Sequence, residues 1–137
     1  PSPTPAPEPD PTPAPDPDPG CGKMLPNESL GVNEALTSCD GRFSLVLQGD
    51  GNLVLYQAGG KALWQTKTVG KSSQVVIMQG DGNLVMYGPG APAPNAAIWW
   101  THTNGNPGGW LSLDDHGALI LFDKSGKPIW WDGTGGL

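Results

Sequence analysis

Two segments of this chain carry the same five residue types at alternate positions. In the first they are Gln48, Asp50, Asn52, Val54 and Tyr56; in the second, Gln79, Asp81, Asn83, Val85 and Tyr87. On an extended strand, side chains two apart share a face. Each segment is therefore expected to display an amide, a carboxylate, a second amide, a small apolar surface and a phenol together, while Leu53 and Leu55 point to the core. A carboxylate accepts hydrogen bonds, amides donate and accept, and a phenol does either. That set suits a sugar ring, whose neighbouring hydroxyls donate and accept and whose flank is C–H surface that valine can underlie. Gly49 and Gly51 are expected to leave room at the turn. Gln-Gly-Asp-Gly-Asn is also a turn signal in its own right, since Asp-Gly favours tight hairpins. A turn alone requires neither the glutamine before it nor the tyrosine four residues after the asparagine, and both copies keep all five positions.

Other chemistries fit these residues less well. Each face offers one carboxylate and two amides, a poor set for a hard cation that wants six or more oxygens. His102 and His116 are isolated, with no cysteine nearby to make a zinc site, and both are expected on surface loops. No metal or other cofactor is expected. A glycosidase needs two carboxylates across one bond; each face has one, and Asp114 and Asp115 are consecutive and so point apart on a strand. No nucleophile with a histidine partner is recognisable, so the chain reads as a binding protein and not an enzyme. Its seven Lys and Arg residues are scattered and its net charge is −6, which excludes a nucleic-acid footprint. No apolar run approaches the length of a membrane-spanning helix.

The elements that must position these faces come from a repeat. The segments 45–56 and 76–87 align with a third, 111–122, and a tryptophan follows each: Trp64, Trp99 and Trp130. The gap from tyrosine to tryptophan is eight residues in the first copy and twelve in the second, where the loop 88–94 makes up the excess. Each tryptophan leads into a tail that ends in threonine, at Thr68, Thr103 and Thr134. The three copies, spanning about residues 40–68, 71–103 and 107–134, have period two broken by glycine-rich turns, as short strands of a meander do. One copy is too small to bury its own apolar face; three sheets around a common axis bury theirs together. Trp64, Trp99 and Trp130, one per copy, are then expected to supply most of the shared core. Trp100, Trp110 and Trp131 are left for the surface.

The third copy departs from the pattern. Asp114, His116, Ala118, Ile120 and Phe122 stand at its five positions, so its polar partners and its phenol are changed while Leu119 and Leu121 keep the core side. Strand without sugar binding is expected there.

Residues 1–20 are a different kind of sequence. Proline occupies every odd position from Pro1 to Pro19, with small or acidic residues between. Such a segment prefers polyproline II and at about 3.1 Å per residue reaches on the order of 60 Å. Four of the chain's acids lie in it, leaving −2 for the rest. A spacer is expected, joining residues 21–137 to an upstream domain that has been removed. A proline-rich ligand for an aromatic groove fits less well because no flanking Arg or Lys supports it. Cys21 and Cys39 either form a disulfide or remain two free thiols; a bond would close a loop of about 18 residues where the spacer ends. The cysteine pair and the spacer together point to an exported, extracellular protein.

The pattern Gln-x-Asp-x-Asn-x-Val-x-Tyr, its tripled setting and the phrase Gly-Lys-Pro-Ile-Trp at 126–130 resemble the bulb-type, monocot mannose-binding lectins over about residues 24–134. The resemblance implies an all-β fold, β-prism II, with three four-stranded antiparallel sheets about a pseudo-threefold axis, and binding of α-mannose glycans without metal. It implies that Asp50 and Asn52 hold the axial 2-hydroxyl, Gln48 the 3-hydroxyl and Tyr56 the 4-hydroxyl, with Val54 against ring carbons, and that Asp81, Asn83, Gln79, Tyr87 and Val85 repeat those roles. Single sites of this size bind weakly, so two sites per chain, with homodimers through the C-terminal strand as one further step, would supply avidity. Changing Asp50 and Asp81 to alanine should then abolish binding at little cost in stability. The rival reading is a protein-interaction module or lectin-like bacteriocin, since relatives of both kinds keep the prism while binding a partner other than mannose.

Overall fold

A computed structural model describes residues 21–133. The proline-rich segment 1–20 and the closing residues 134–137, with Thr134, lie outside the described residues. The described residues form twelve short strands and one 3-10 turn, Pro94–Ala96. Three come first and close together: β1 (Lys23–Met24), β2 (Ser29–Gly31) and β3 (Ala35–Thr37). The first repeat contributes β4 (Phe43–Leu47), β5 (Leu53–Gln57) and β6 (Lys61–Gln65). The second contributes β7 (Val75–Met78), β8 (Leu84–Tyr87) and β9 (Ala97–Trp100), and the third β10 (Trp110–Leu113), β11 (Leu119–Phe122) and β12 (Pro128–Trp131).

These strands make three antiparallel four-stranded sheets, ordered β3-β4-β5-β6, β2-β7-β8-β9 and β1-β10-β11-β12. The architecture is the all-β prism expected, with one feature the repeat did not show. Each repeat supplies a three-stranded meander, and the fourth strand of every sheet is drawn in turn from residues 23–37. That leading segment therefore ties the three sheets to one another. Each strand in it places one apolar side chain, Met24, Leu30 or Leu36, in the core.

Period two sets the rest of the packing. In the first sheet, Leu45, Leu47, Leu53 and Leu55 face inward and are fully buried; Met78, Leu84 and Met86, then Leu111, Leu113, Leu119 and Leu121, do the same in the others. At the axis the rings of Trp64, Trp99 and Trp130 meet edge to face, with centroids 5.6, 5.7 and 6.0 Å apart. Each lies on the edge strand β6, β9 or β12, so the trio joins three sheet edges. The rings are half-buried against the aliphatic cluster. The aromatics thus close the axis, but leucine and methionine supply the fully buried volume, contrary to the sequence expectation. The reason is positional: the inward positions of the central strands carry aliphatics, and the three axial tryptophans sit on edge strands.

Cys21 and Cys39 form a disulfide across a sequence separation of 18. It fastens the start of the described chain to the turn between β3 and β4. Reduction should lower stability by about 3 kcal/mol, because the unfolded chain regains a loop of that length. Urea unfolding with and without reductant measures this directly. Near the bond, the backbone N–H of Asp40 donates to Asp115 Oδ1 (3.0 Å), and the Arg42 guanidinium reaches the Asp115 carbonyl. These contacts tie the β3–β4 turn to the β10–β11 turn. The backbone N–H and guanidinium of Arg42 hold the Asp40 carboxyl at about 2, well below the ordinary value.

Candidate carbohydrate-binding sites

The first candidate site is built on a turn. Gln48–Asn52 were expected to run on as strand, but β4 ends at Leu47 and β5 begins at Leu53. The chain reverses between them: Gly51 N donates to Gln48 O (3.1 Å), and Gln48 N to Asn52 O (2.9 Å). Gly51 has a φ of +95°, the left-handed region that glycine tolerates. Two glycines and an aspartate make reversal cheaper than extension here. Gln48, Asp50 and Tyr56 still converge, because the turn brings the first two back to the tyrosine on β5.

Gln48 is the hub. With its amide nitrogen toward Asp50 (3.2 Å to Oδ1, 3.3 Å to Oδ2), its carbonyl accepts from the Tyr56 hydroxyl. Carboxylate, amide and phenol thus form one connected row. Asp50 Oδ1 also accepts from the Asn52 backbone N–H (3.0 Å), which closes an Asx turn. Val54 lies beneath, between Val46 and Gln65 on the neighbouring strands.

Asn52 is placed differently from the other four. It is 5% exposed. Its Oδ1 accepts from Thr68 N and Thr66 Oγ1, both at 3.2 Å, and its Nδ2 donates to Gln65 Oε1 (2.9 Å). Thr68 Oγ1 donates in turn to Gly51 O (2.6 Å). The threonine tail visible in the sequence is therefore a clasp that pins the asparagine and the turn. Its pattern was legible, but its partner, fourteen to sixteen residues away, was not. The space at Gly51 belongs to the chain and not to a ligand, since a Cβ there would meet Lys71 O at 2.2 Å. Gly49 is open on its outer side, with only the tip of Val32 at 4.0 Å. Replacing Asn52 by alanine strands buried donors and should cost about 2 kcal/mol, measurable as a shift in the urea midpoint.

The second site repeats the turn and the threonine clasp, with the glutamine–tyrosine hydrogen bond in the opposite sense. Asp81 Oδ1 accepts from Asn83 N (3.0 Å), Gln79 Nε2 donates to the Tyr87 hydroxyl, and Asn83 Oδ1 is clasped by Thr101 Oγ1 (3.2 Å) and Thr103 N (3.3 Å). Gly82 approaches Asn106 O as Gly51 approaches Lys71 O. Tyr87 is more enclosed than Tyr56, at 4% exposure.

The third face has lost the set. Asp114, at the glutamine position, spends Oδ1 on the backbone N–H groups of His116 and Ala118, both at 2.9 Å. Ala118 is buried and brings no amide, and His116 is exposed. Phe122 stacks on Trp110 (centroids 4.8 Å, 27° between planes), and Lys23 Nζ lies 6.0 Å from the Trp110 ring. Trp110 was expected at the surface; its register with Phe122 half-buries it. Trp100 and Trp131 are exposed, at 38% and 41%, and His102 is exposed as expected. Among the described residues no three His, Cys, Asp or Glu side chains gather as a metal site.

Many solved structures resemble the chain along most of its length, and three of them illustrate the likeness. A lectin of Marasmius oreades is 32% identical with a TM-score of 0.74, over 85% of this chain and 94% of its own. A monomeric monocot mannose-binding lectin from Gastrodia elata is 33% identical, with a TM-score of 0.71, over 83% and 98%. The mannose-specific agglutinin of snowdrop bulbs, solved with methyl α-D-mannoside, is 34% identical, with a TM-score of 0.65, over 82% and 96%. No protein-family model and no curated protein sequence matches the chain. Fold and comparisons together define a β-prism II carbohydrate-binding protein and not an enzyme. The chain belongs to the bulb-type, monocot mannose-binding lectin family.

Proposed function

We propose that this lectin binds terminal α-mannose without metal, at two sites per chain, on the outer faces of the first two sheets. The observation that carries the reading is the duplication of a complete constellation, a capped aspartate turn with a glutamine hydrogen-bonded to tyrosine, set against its loss on the third sheet. Asp50 and the remaining N–H of Asn52 would hold the axial 2-hydroxyl, Gln48 the 3-hydroxyl and Tyr56 the 4-hydroxyl, over Val54. Asp81, Asn83, Gln79, Tyr87 and Val85 would do the same. Galactose, with its equatorial 2-hydroxyl and axial 4-hydroxyl, mismatches both ends of this row.

About four hydrogen bonds worth roughly 1 kcal/mol each predict millimolar affinity for a monosaccharide at one site. Useful binding then comes from presenting two sites to a dense glycan. The alternating proline segment suits a tether to another secreted module, a reading that rests on its composition. Retention on immobilised mannan tests the function. The protein should be held, released by methyl α-mannoside, and unaffected by galactoside or EDTA. Passage straight through the column, or release by EDTA, would count against the proposal.

A further inference from the structure

The two sites share five residues but not their neighbour. The residue after each axial tryptophan registers with the floor of its sheet's outer face: Gln65 with Val54, Trp100 with Val85 and Trp131 with Ile120. In the first site, Gln65 is a support that accepts the Asn52 amide N–H. In the second, an indole stands in its place. It accepts no such bond, and Asn83 is clasped through Oδ1 alone.

Trp100 is held in position. Its Nε1–H donates to His102 Nδ1 (3.0 Å), and the two rings lie 5.1 Å apart at 52°. The backbone is the same in both repeats, since His102 and its counterpart Lys67 have φ of +61° and +60°. The difference between the sites therefore resides in side chains. Trp100 and His102 line a cleft along the outer edge of β9, together with Ile98 and Thr101 and the flanks of Trp99 and Trp130. β9 is the edge of its sheet, so nothing in the sheet covers this side.

We propose that Trp100 and His102 form an aromatic subsite that takes the second hexose of an α-linked mannose oligosaccharide whose terminal residue occupies the second site, and that the first site has no such subsite. The inference rests on the mannose reading of the second site. Neighbouring strands lie about 4.8 Å apart, close to the width of a pyranose ring, so a hexose joined to one seated over Val85 meets the indole next to it. The C–H face of a pyranose packs on an aromatic face, and a ring already fixed by a hydrogen bond loses little freedom on binding. His102 supplies a further polar edge for a ring hydroxyl. The second site is then an oligosaccharide site and the first a monosaccharide site.

The test is an amide and indole NMR titration of the full chain with methyl α-mannoside and with the α1,2-, α1,3- and α1,6-linked mannobioses. At least one mannobiose should bind the second site about five- to tenfold more tightly than the methyl mannoside and move the Trp100 indole resonance. The first site should show no such preference. In Trp100→Gln, which installs the first site's residue, the ratio between mannobiose and methyl mannoside at the second site should fall to about one. Thermal melting of the variant reports its fold. The subsite is overturned if methyl mannoside shifts residues 79–87 but no mannobiose binds there more tightly, or if Trp100→Gln keeps the preference. If neither ligand shifts residues 79–87, the mannose reading of that site fails, and the subsite fails with it.

Discussion

Replacing Asp50 and Asp81 together by asparagine is expected to weaken mannoside binding by about 100-fold at each site, and so to remove it from any practical titration. Each carboxylate has two tasks. One oxygen accepts the backbone N–H two residues on, at 3.0 Å in both sites, and keeps the turn closed. The other oxygen and the charge remain for a sugar hydroxyl and for the amide of Gln48. Asparagine keeps the first task through its own Oδ1 and abandons the second, so the melting temperature should barely move. Alanine abandons both and should cost about 0.5–1.5 kcal/mol per site in addition. The turn contact therefore predicts a measurable cost for alanine, where near neutrality was expected from the sequence alone. Denaturation curves of the two double variants, beside their titrations, separate the tasks. Equal stability of the alanine and asparagine forms would show that the turn does not depend on the aspartate.

The largest expected effect on stability separates two adjacent residues. Trp99→Ala should cost about 3–4 kcal/mol, whereas Trp100→Ala should cost less than about 1 kcal/mol. Trp99 meets Trp64 at 5.6 Å and Trp130 at 6.0 Å, so its removal breaks two of the three contacts that join the sheet edges. Each edge-to-face pair contributes roughly 0.5–1.5 kcal/mol beyond its buried area, and the vacated space adds a cavity term. Such a loss is a large share of the 5–15 kcal/mol, roughly, that a domain of this size possesses. Trp100 points to the other face and contacts His102. Urea midpoints of the two variants decide the matter, and similar values would contradict the alternation of faces along β9.

Much of this was legible in the residues. Alternation placed Leu53 and Leu55 inward, the equivalent positions of Trp64, Trp99 and Trp130 brought them together, and the spacing of Gln48 to Tyr56 gathered the outer row. What escaped had physical reasons. Strands of two or three residues, such as Lys23–Met24 and Ser29–Gly31, are too short to show a period, so the origin of each fourth strand was hidden. A turn folded onto its own strand leaves the same alternate pattern as a longer strand, so Gln48–Asn52 looked extended. The role of Asn52 depends on Thr66 and Thr68, which the meander brings back from a distance in sequence. Trp110 looked like a surface residue until its register placed it against Phe122.

Two live faces and a silent third is the centre of the account, and amide NMR with methyl α-mannoside tests it most directly. Shifts saturating in the millimolar range should map to residues 48–56 and 79–87, survive EDTA, and be absent with galactoside, while residues 114–122 stay still. A flat response at both turns, or shifts centred on the third face, would contradict it.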